Sequence, residues 1–397
     1  MGKSLNEIAQ DLKNNPKKVQ LIYAFNGTGK TRLSREFKLL VEPKNDTDEE
    51  EMALMGIKIL YYNAFTEDLF YWDNDLQNKI EPKLKIHPNA FTNWIFEVQG
   101  QDRNVIKNFQ HYTNEKLTPH FNAEYITKGS DEKDIKINAS TEVTFSYERG
   151  NDESSYNIKI SKGEESCFIW SVFYSLLDQV IGVLDKAEPT ERETNQFDSL
   201  EYVFIDDPIS SLDDNHLIQL AVDLAQLIKS SKADIKFVIT THNPLFYNVL
   251  FNELGNKGSY MLERLEDGLF DLIEKGGDSN QSFSYHIHLK NILENAIKNN
   301  QVEKYHFILL RNLYEKVANF LGYKKWSDLL PEDKNLYESR ILNFYSHQTL
   351  SNEEVKEPTP QEKQTVKKLL EHLIGNYSFY IESPNKKDSS TITGTLN

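Results

Sequence analysis

Cysteine is nearly absent. Cys167 stands alone in 397 residues, which forbids an internal disulfide and any cysteine-rich zinc site. No run approaches 18 consecutive apolar residues, so no membrane-spanning helix is expected. The start, Met1-Gly2-Lys3-Ser4-Leu5-Asn6, lacks an apolar signal core, and Asn6 breaks the myristoylation pattern. Internal repeats are missing too. Positive charge is scarce: 45 Lys and Arg face 61 Asp and Glu, a formal −16 that argues against indiscriminate coating of nucleic acid. These absences point to a soluble protein of the cytoplasm, without a membrane, long enough for two or three domains.

The acid is unevenly spread. Residues 281–397 hold 15 basic and 14 acidic side chains, leaving 30 and 47 on the rest, and they carry five of the ten histidines. Hydrophobic periodicity changes at the same place. Before it, short apolar runs at Lys18–Tyr23, Ile57–Tyr62, Tyr202–Ile205 and Phe237–Ile239 read as buried strands. The helical stretch Leu217–Ile228 links the last two runs as a βαβ unit in a mostly parallel sheet. Alternating Val143, Phe145 and Tyr147, then Tyr156, Ile158 and Ile160 about a Gly150-Asn151-Asp152 turn, predict a hairpin leading to a helix at Glu164. After residue 281 the pattern is helical. Val302, Tyr305, Leu309, Leu313 and Val317 form one stripe, and a last helix covers roughly 362–376. The spacing predicts domains at 1–280 and 281–380 and a frayed, disordered tail at 381–397.

Ala24-Phe25-Asn26-Gly27-Thr28-Gly29-Lys30-Thr31 follows a strand and opens a helix. That is the setting in which backbone N–H groups and a helix N-terminus converge on phosphate oxygens. Asn26, Gly27, Thr28 and Gly29 would form the cradle, Lys30 would reach the terminal phosphates, and Thr31 would hold Mg²⁺. Ala24 departs from the glycine usual at the first position. Ile205-Asp206-Asp207-Pro208 ends a strand with two carboxylates. Asp206 is expected to order the Mg²⁺ shell and Asp207 to orient a water, and aspartate where glutamate is usual predicts slow or conditional hydrolysis. His242 follows another strand. Ser161, Lys162, Gly163 and Glu164 look like the signature segment of ABC-type ATPases, which in that family completes the site on a partner subunit. Ser210–Asp213 resembles that family's dimer-facing loop, and Asn63 is the candidate for its Q-loop. Gly29 and Gly163 lie 134 residues apart with no heptad run between, so long coiled-coil arms are absent. The fold expected is an α/β ABC-type P-loop NTPase domain binding ATP or GTP with Mg²⁺, followed by an all-α C-terminal domain.

Arg311 and Glu315, at i and i+4, share a helix face, and His347 follows in a loop-like stretch. Structurally this is an exposed ion pair and a surface histidine. Chemically, arginine, glutamate and histidine are what a metal-independent ribonuclease needs: a cation for the phosphorane and a general acid and base.

Over nearly its whole length the chain resembles the PrrC-type anticodon nucleases. The resemblance rests on Tyr23–Thr31, Ser161–Ser166, Phe204–Pro208 and the Arg311, Glu315, His347 set. It implies a nuclease domain regulated by the NTPase, catalysis by that set, and cleavage of tRNA, typically tRNA-Lys, in the anticodon stem-loop beside the wobble base. The expected products carry a 2′,3′-cyclic phosphate and a 5′-OH. It further implies antiphage defence, silencing by a type I restriction–modification complex, and self-association as a head-to-tail dimer or higher oligomer. Asp278 and Ser279, in Lys275–Ser279, resemble a family segment linked to substrate recognition. The alternative is an ABC-type defence or DNA-repair ATPase that senses and leaves cutting to a partner nuclease.

Overall fold

The computed structural model describes residues 2–43, 56–63, 68–73, 82–87, 92, 94–128, 133–149, 153–208, 214–255, 257–265, 267–275, 285–331, 337, 358–377 and 379. Contacts divide the chain into two units, Met1–Phe283 and Ser284–Asn397.

In the first unit, Ser4 caps α1 (Leu5–Asn14) through a reciprocal box with Glu7, and Leu5, Ile8, Ala9 and Leu12 fall on its buried face. Next come β1 (Val19–Tyr23), α2 (Lys30–Val41) and β2 (Ile59–Tyr62). The middle of the unit holds β3 (Phe70–Asp73), β4 (Lys83–Ile86), α3 (Asp102–Tyr112), β5 (Leu117–Phe121), β6 (Tyr125–Lys128), β7 (Asp134–Ile137), β8 (Glu142–Arg149) and β9 (Glu153–Ser155). Then follow α4 (Lys162–Leu184), β10 (Tyr202–Asp206), α5 (Asp214–Ser230), β11 (Lys236–Thr241), α6 (Pro244–Leu254), β12 (Ser259–Arg264) and β13 (Phe270–Glu274).

The main sheet has the order β13-β12-β1-β11-β10-β2, parallel except for β13. Alternation along each strand assigns its faces. Leu21, Tyr23, Val203, Ile205, Phe237 and Ile239 join one core with α3 to α6, whereas Ile22, Phe204 and Val238 join a second core with α1 and α2. Both faces are covered, which is why these strands read as continuous apolar runs. The expected β10–α5–β11 unit is present, with α5 extending from Asp214 to Ser230.

A second, antiparallel sheet runs β3-β4-β8-β5, with β9 on β8, and β6 and β7 pair separately. The hairpin before the signature segment is shorter than the alternation predicts. β9 stops at Ser155, and the Ile158 amide alone continues the pairing to the Phe145 carbonyl at 3.0 Å. The other strands of this sheet escape the sequence reading because most span four or five residues, too few to establish a period.

The helix after the signature segment begins at Lys162, two residues earlier than expected, because Ser161 caps it. By length and composition α4 could cross a bilayer, yet 72% of that apolar window is packed inside the protein. Trp170, Phe168, Phe173 and Leu177 supply much of the first core, so the core accounts for the apolarity.

Among the described residues the second unit is built of helices: α7 (Tyr285–Lys298), α8 (Lys304–Leu321), a short 3₁₀ turn at Trp326–Leu329, and α9 (Pro360–Asn376). Its separate core contains Leu289, Leu293, Phe307, Leu310, Leu313, Tyr314, Val317, Leu369, Leu370 and Leu373. The expected stripe holds at Val302, Leu313 and Val317, all buried, and is corrected at its two other positions. Tyr305 is half exposed and Leu309 only partly buried. Phe307, Leu310 and Tyr314 pack inward beside Leu313 and Val317, with Tyr314 donating to the Leu369 carbonyl at 2.8 Å.

Candidate functional site

Three neighbouring strands bring one set of residues to the same end of the main sheet. Tyr23 pairs with Thr241 and Asp206 with Thr240, so β1, β11 and β10 finish level. The chain continues past each end: the Ala24 amide donates to the Thr241 carbonyl at 3.0 Å and the Asp207 amide to that of Thr240 at 2.8 Å. α2 then leaves toward one face and α5 toward the other. A divergence of this kind opens a crevice beyond the strand ends, the ordinary ligand site of such sheets.

Gly27 and Gly29 have φ of 80° and 113°, backbone that a Cβ would strain. A side-chain carbon built on Gly27 meets nothing within 4 Å, so the loop presents open space, and Gly29 occupies the N-cap of α2. Lys30, 7% exposed, lies under this turn. Its ammonium donates to the Ala24 carbonyl (3.2 Å) and Asn26 Oδ1 (3.2 Å), and sits 3.4 Å from Asp207 Oδ2.

The two aspartates have different surroundings. Asp206 is 2% exposed. Thr240 Oγ1 donates to its Oδ1 at 2.5 Å, and Ser34 Oγ, itself paired with the Tyr61 hydroxyl at 2.7 Å, lies 3.4 Å from Oδ2. Burial raises its carboxyl above the ordinary range, against the hydrogen bonds of Thr240 and Thr31. Asp207 has φ of 53°, a left-handed conformation more accessible to aspartate than to most residues. Its Oδ2 contacts His242 Nδ1 at 2.5 Å, and its Oδ1 accepts the His242 amide at 3.2 Å. Burial pushes Asp207 up, but the His242 hydrogen bond and the Lys30 charge outweigh it and hold the carboxyl below its usual range. Asn26, Gly27, Lys30, Asp206, Asp207 and His242 thus converge, with Thr31 on Asp206. Asn63 is buried and donates to the Tyr61 hydroxyl at 2.8 Å.

Ser161, Lys162, Gly163 and Glu164 occupy the first turn of α4. The Ser161 amide donates to Glu164 Oε2 at 2.7 Å, and Ser161 Oγ accepts the Glu164 amide at 3.3 Å. Lys162 pairs with the buried Glu165 at 2.6 Å, and Trp72 Nε1 donates to the same carboxylate at 2.9 Å. These contacts hold the segment on its own helix and on β3, with Ser161 and Lys162 exposed. Ser210–Asp213 lie outside the described residues.

In the second unit, Arg311 Nε donates to Glu315 Oε1 at 2.9 Å along α8. The guanidinium also stands over the Trp326 ring, 5.6 Å from its centroid, and that ring meets Tyr314 edge-on. Trp326 eluded the sequence reading because no helical spacing links it to Arg311. The ion pair is half-buried rather than fully exposed. His347, Asp278 and Ser279 lie outside the described residues.

No protein-family model matches the chain. An SMC head bound to the C-winged helix domain of ScpA is 10% identical, covering 68% of this chain and 93% of that one at a TM-score of 0.33. The SMC head domain from Thermotoga maritima is 12% identical over 65% and 90%, at 0.29. A likeness that slight carries no argument. The sequence is decisive: the anticodon nuclease of Escherichia coli is 62% identical over 404 aligned residues, covering 96% of this chain and 98% of that protein. At that identity and coverage, the chain belongs to the anticodon nuclease family.

Proposed function

We propose that the protein is a tRNA endoribonuclease of antiphage defence that cuts a tRNA-Lys-like substrate in the anticodon loop, beside the wobble base, under the control of bound ATP or GTP. The observation that carries this reading is the near full-length match to an anticodon nuclease.

For the chemistry, RNA supplies its own nucleophile. A base removes the 2′-OH proton, the 2′ oxygen attacks phosphorus, and the 5′ oxygen leaves with a proton from an acid. The ends are a 2′,3′-cyclic phosphate and a 5′-OH. Arg311, oriented by Glu315 and by the Trp326 ring, would hold the phosphoryl oxygens. Glu315 and His347 would share the proton transfers, with no metal required.

In the first unit, the amides of Gly27–Thr31 and Lys30 would hold the nucleotide phosphates, and Thr31 and Asp206 would hold Mg²⁺. The open loop above Gly27 and the buried carboxyl of Asp206 suit these roles. When bound, the ion neutralises phosphate charge and would offset the burial of Asp206. Two copies would pair head to tail, Ser161–Glu164 of one facing the phosphate loop of the other. A type I restriction–modification complex is the proposed silencing partner.

The test is to sequence tRNA ends from cells expressing wild type, Arg311→Ala or His347→Ala. A break in one anticodon loop, lost by about 10²–10⁴-fold in both variants while NTP hydrolysis persists, is expected. Cleavage surviving in either variant would refute the assignment. Intact tRNA with wild type, and nicking only after a partner is added, would mark the protein as a sensor.

A further inference from the structure

The second unit contains a cleft of about 500 Å³ that the proposed chemistry does not use. One wall is the first part of α9, with Pro360, Lys363, Gln364 and Lys367; the other is Ile297, Asn300 and Val302, at the join of α7 and α8. Lys363 and Lys367 are one turn apart, about 6 Å along the helix. Pro358 also lines the cleft, and Asn300 turns the chain with φ of 58°.

The lining is chemically one-sided. It has two ammonium groups, two carboxamides and no carboxylate among the described residues, in a chain of formal charge −16. Lys367 lies 3.9 Å from Glu371, an exposed contact on its own helix worth little in water. No ion pair engages Lys363 among the described residues. Partly buried Ile297 and exposed Pro360 add apolar surface beside these cations, with Val302 and Pro358 buried behind them.

We infer that this cleft holds the ribose-phosphate backbone of the tRNA, Lys363 and Lys367 contacting neighbouring phosphates. The carboxamides of Asn300 and Gln364 reach phosphate or 2′-hydroxyl oxygens, and a ribose or splayed base rests on the apolar surface. The inference deepens the tRNA nuclease reading and rests on it for the identity of the polyanion. Binding energy here is sequence-independent. The cleft anchors the substrate, and discrimination lies elsewhere.

The test uses full-length protein and an anticodon stem-loop with a 2′-deoxy nucleotide at the scissile position, so that binding is read without cleavage. Lys363→Gln/Lys367→Gln should weaken binding about tenfold at low salt and flatten the log–log salt slope by about 1.4, roughly 0.7 for each single-strand phosphate no longer neutralised. Lys363→Arg/Lys367→Arg should restore the slope, which separates the effect of charge from misfolding. Lys368→Gln, on an exposed lysine of the same helix outside the cleft, should change neither quantity. Wild-type affinity and slope in the double glutamine variant, or an equal loss in Lys368→Gln, would overturn the assignment. Failure of wild type to cut ordinary tRNA would count against the nuclease reading alone, because the binding series is measured separately.

Discussion

At the scale of single residues, charge is placed where a neighbour stabilises it. Lys30 meets loop carbonyls and Asp207, Asp207 meets His242, and Arg311 meets Glu315 and the Trp326 face. A cation over an aromatic ring contributes about 0.5–1 kcal/mol at such a site. Trp326→Ala should therefore slow single-turnover tRNA cleavage roughly fivefold, by the factor that about 1 kcal/mol yields, while Trp326→Phe keeps most of the rate. Wild-type rates in Trp326→Ala would show that Arg311 needs no such platform. His306 gives a pH signature. It is buried, its Nδ1 accepts the Glu303 amide at 2.9 Å, and burial lowers its pKa below the ordinary 6.5. The unfolded chain then binds the proton more readily, so its contribution to stability is present above pH 6.5 and is lost as pH falls toward the folded value. Amide-exchange protection of α8, corrected for intrinsic rates, should drop as the pH falls below 6.5. His306→Gln should flatten that drop, and an identical fall in this variant would assign the effect to other groups.

Helices and strands position these residues through their ends. Ser161–Glu164, the proposed signature segment, form the first turn of α4, held by the Ser161–Glu164 box, with Glu165 anchored by Trp72 and Lys162. The 3.6-residue period that lets this turn cap itself also aims Glu165 inward while Ser161 and Lys162 remain exposed. Ser161→Ala removes a cap worth about 1 kcal/mol. It should fray the first turn of α4, seen as faster exchange of the Glu164 and Glu165 amides, and weaken any nucleotide-dependent self-association. Unaltered exchange at both amides would mean that β3 contacts alone hold the turn. The i, i+4 geometry of Arg311 and Glu315 was legible in the sequence for a related reason: helix rise alone determines which side chains meet. The Trp326 contact was not, since it depends on how the chain after α8 folds back over that helix.

For the molecule as a whole, acidity is concentrated in the first unit, and the near-neutral second unit carries the proposed nuclease residues and the lysine-lined cleft. This division would keep the proposed backbone-binding cleft off the unit whose net charge repels a polyanion. The gating proposal predicts that Lys30→Ala abolishes the response of tRNA cleavage to added ATP or GTP, measured as rate against nucleotide concentration. Cleavage that still answers to nucleotide would detach control from this loop.

What the sequence determined by itself was chemistry confined to neighbours along the chain. The proposed phosphate loop is eight contiguous residues, Ala24–Thr31, whose bends at Gly27 and Gly29 are local backbone, and the buried strands announce themselves because both faces of their sheet are covered. Tertiary structure alone decided which distant groups meet. Asp207 reaches Lys30 and His242 because β10, β11 and β1 are adjacent and end level. The inward face of α8, the antiparallel second sheet and the cleft beside α9 belong to the same class. Each depends on packing between segments far apart in sequence, and no local period encodes that.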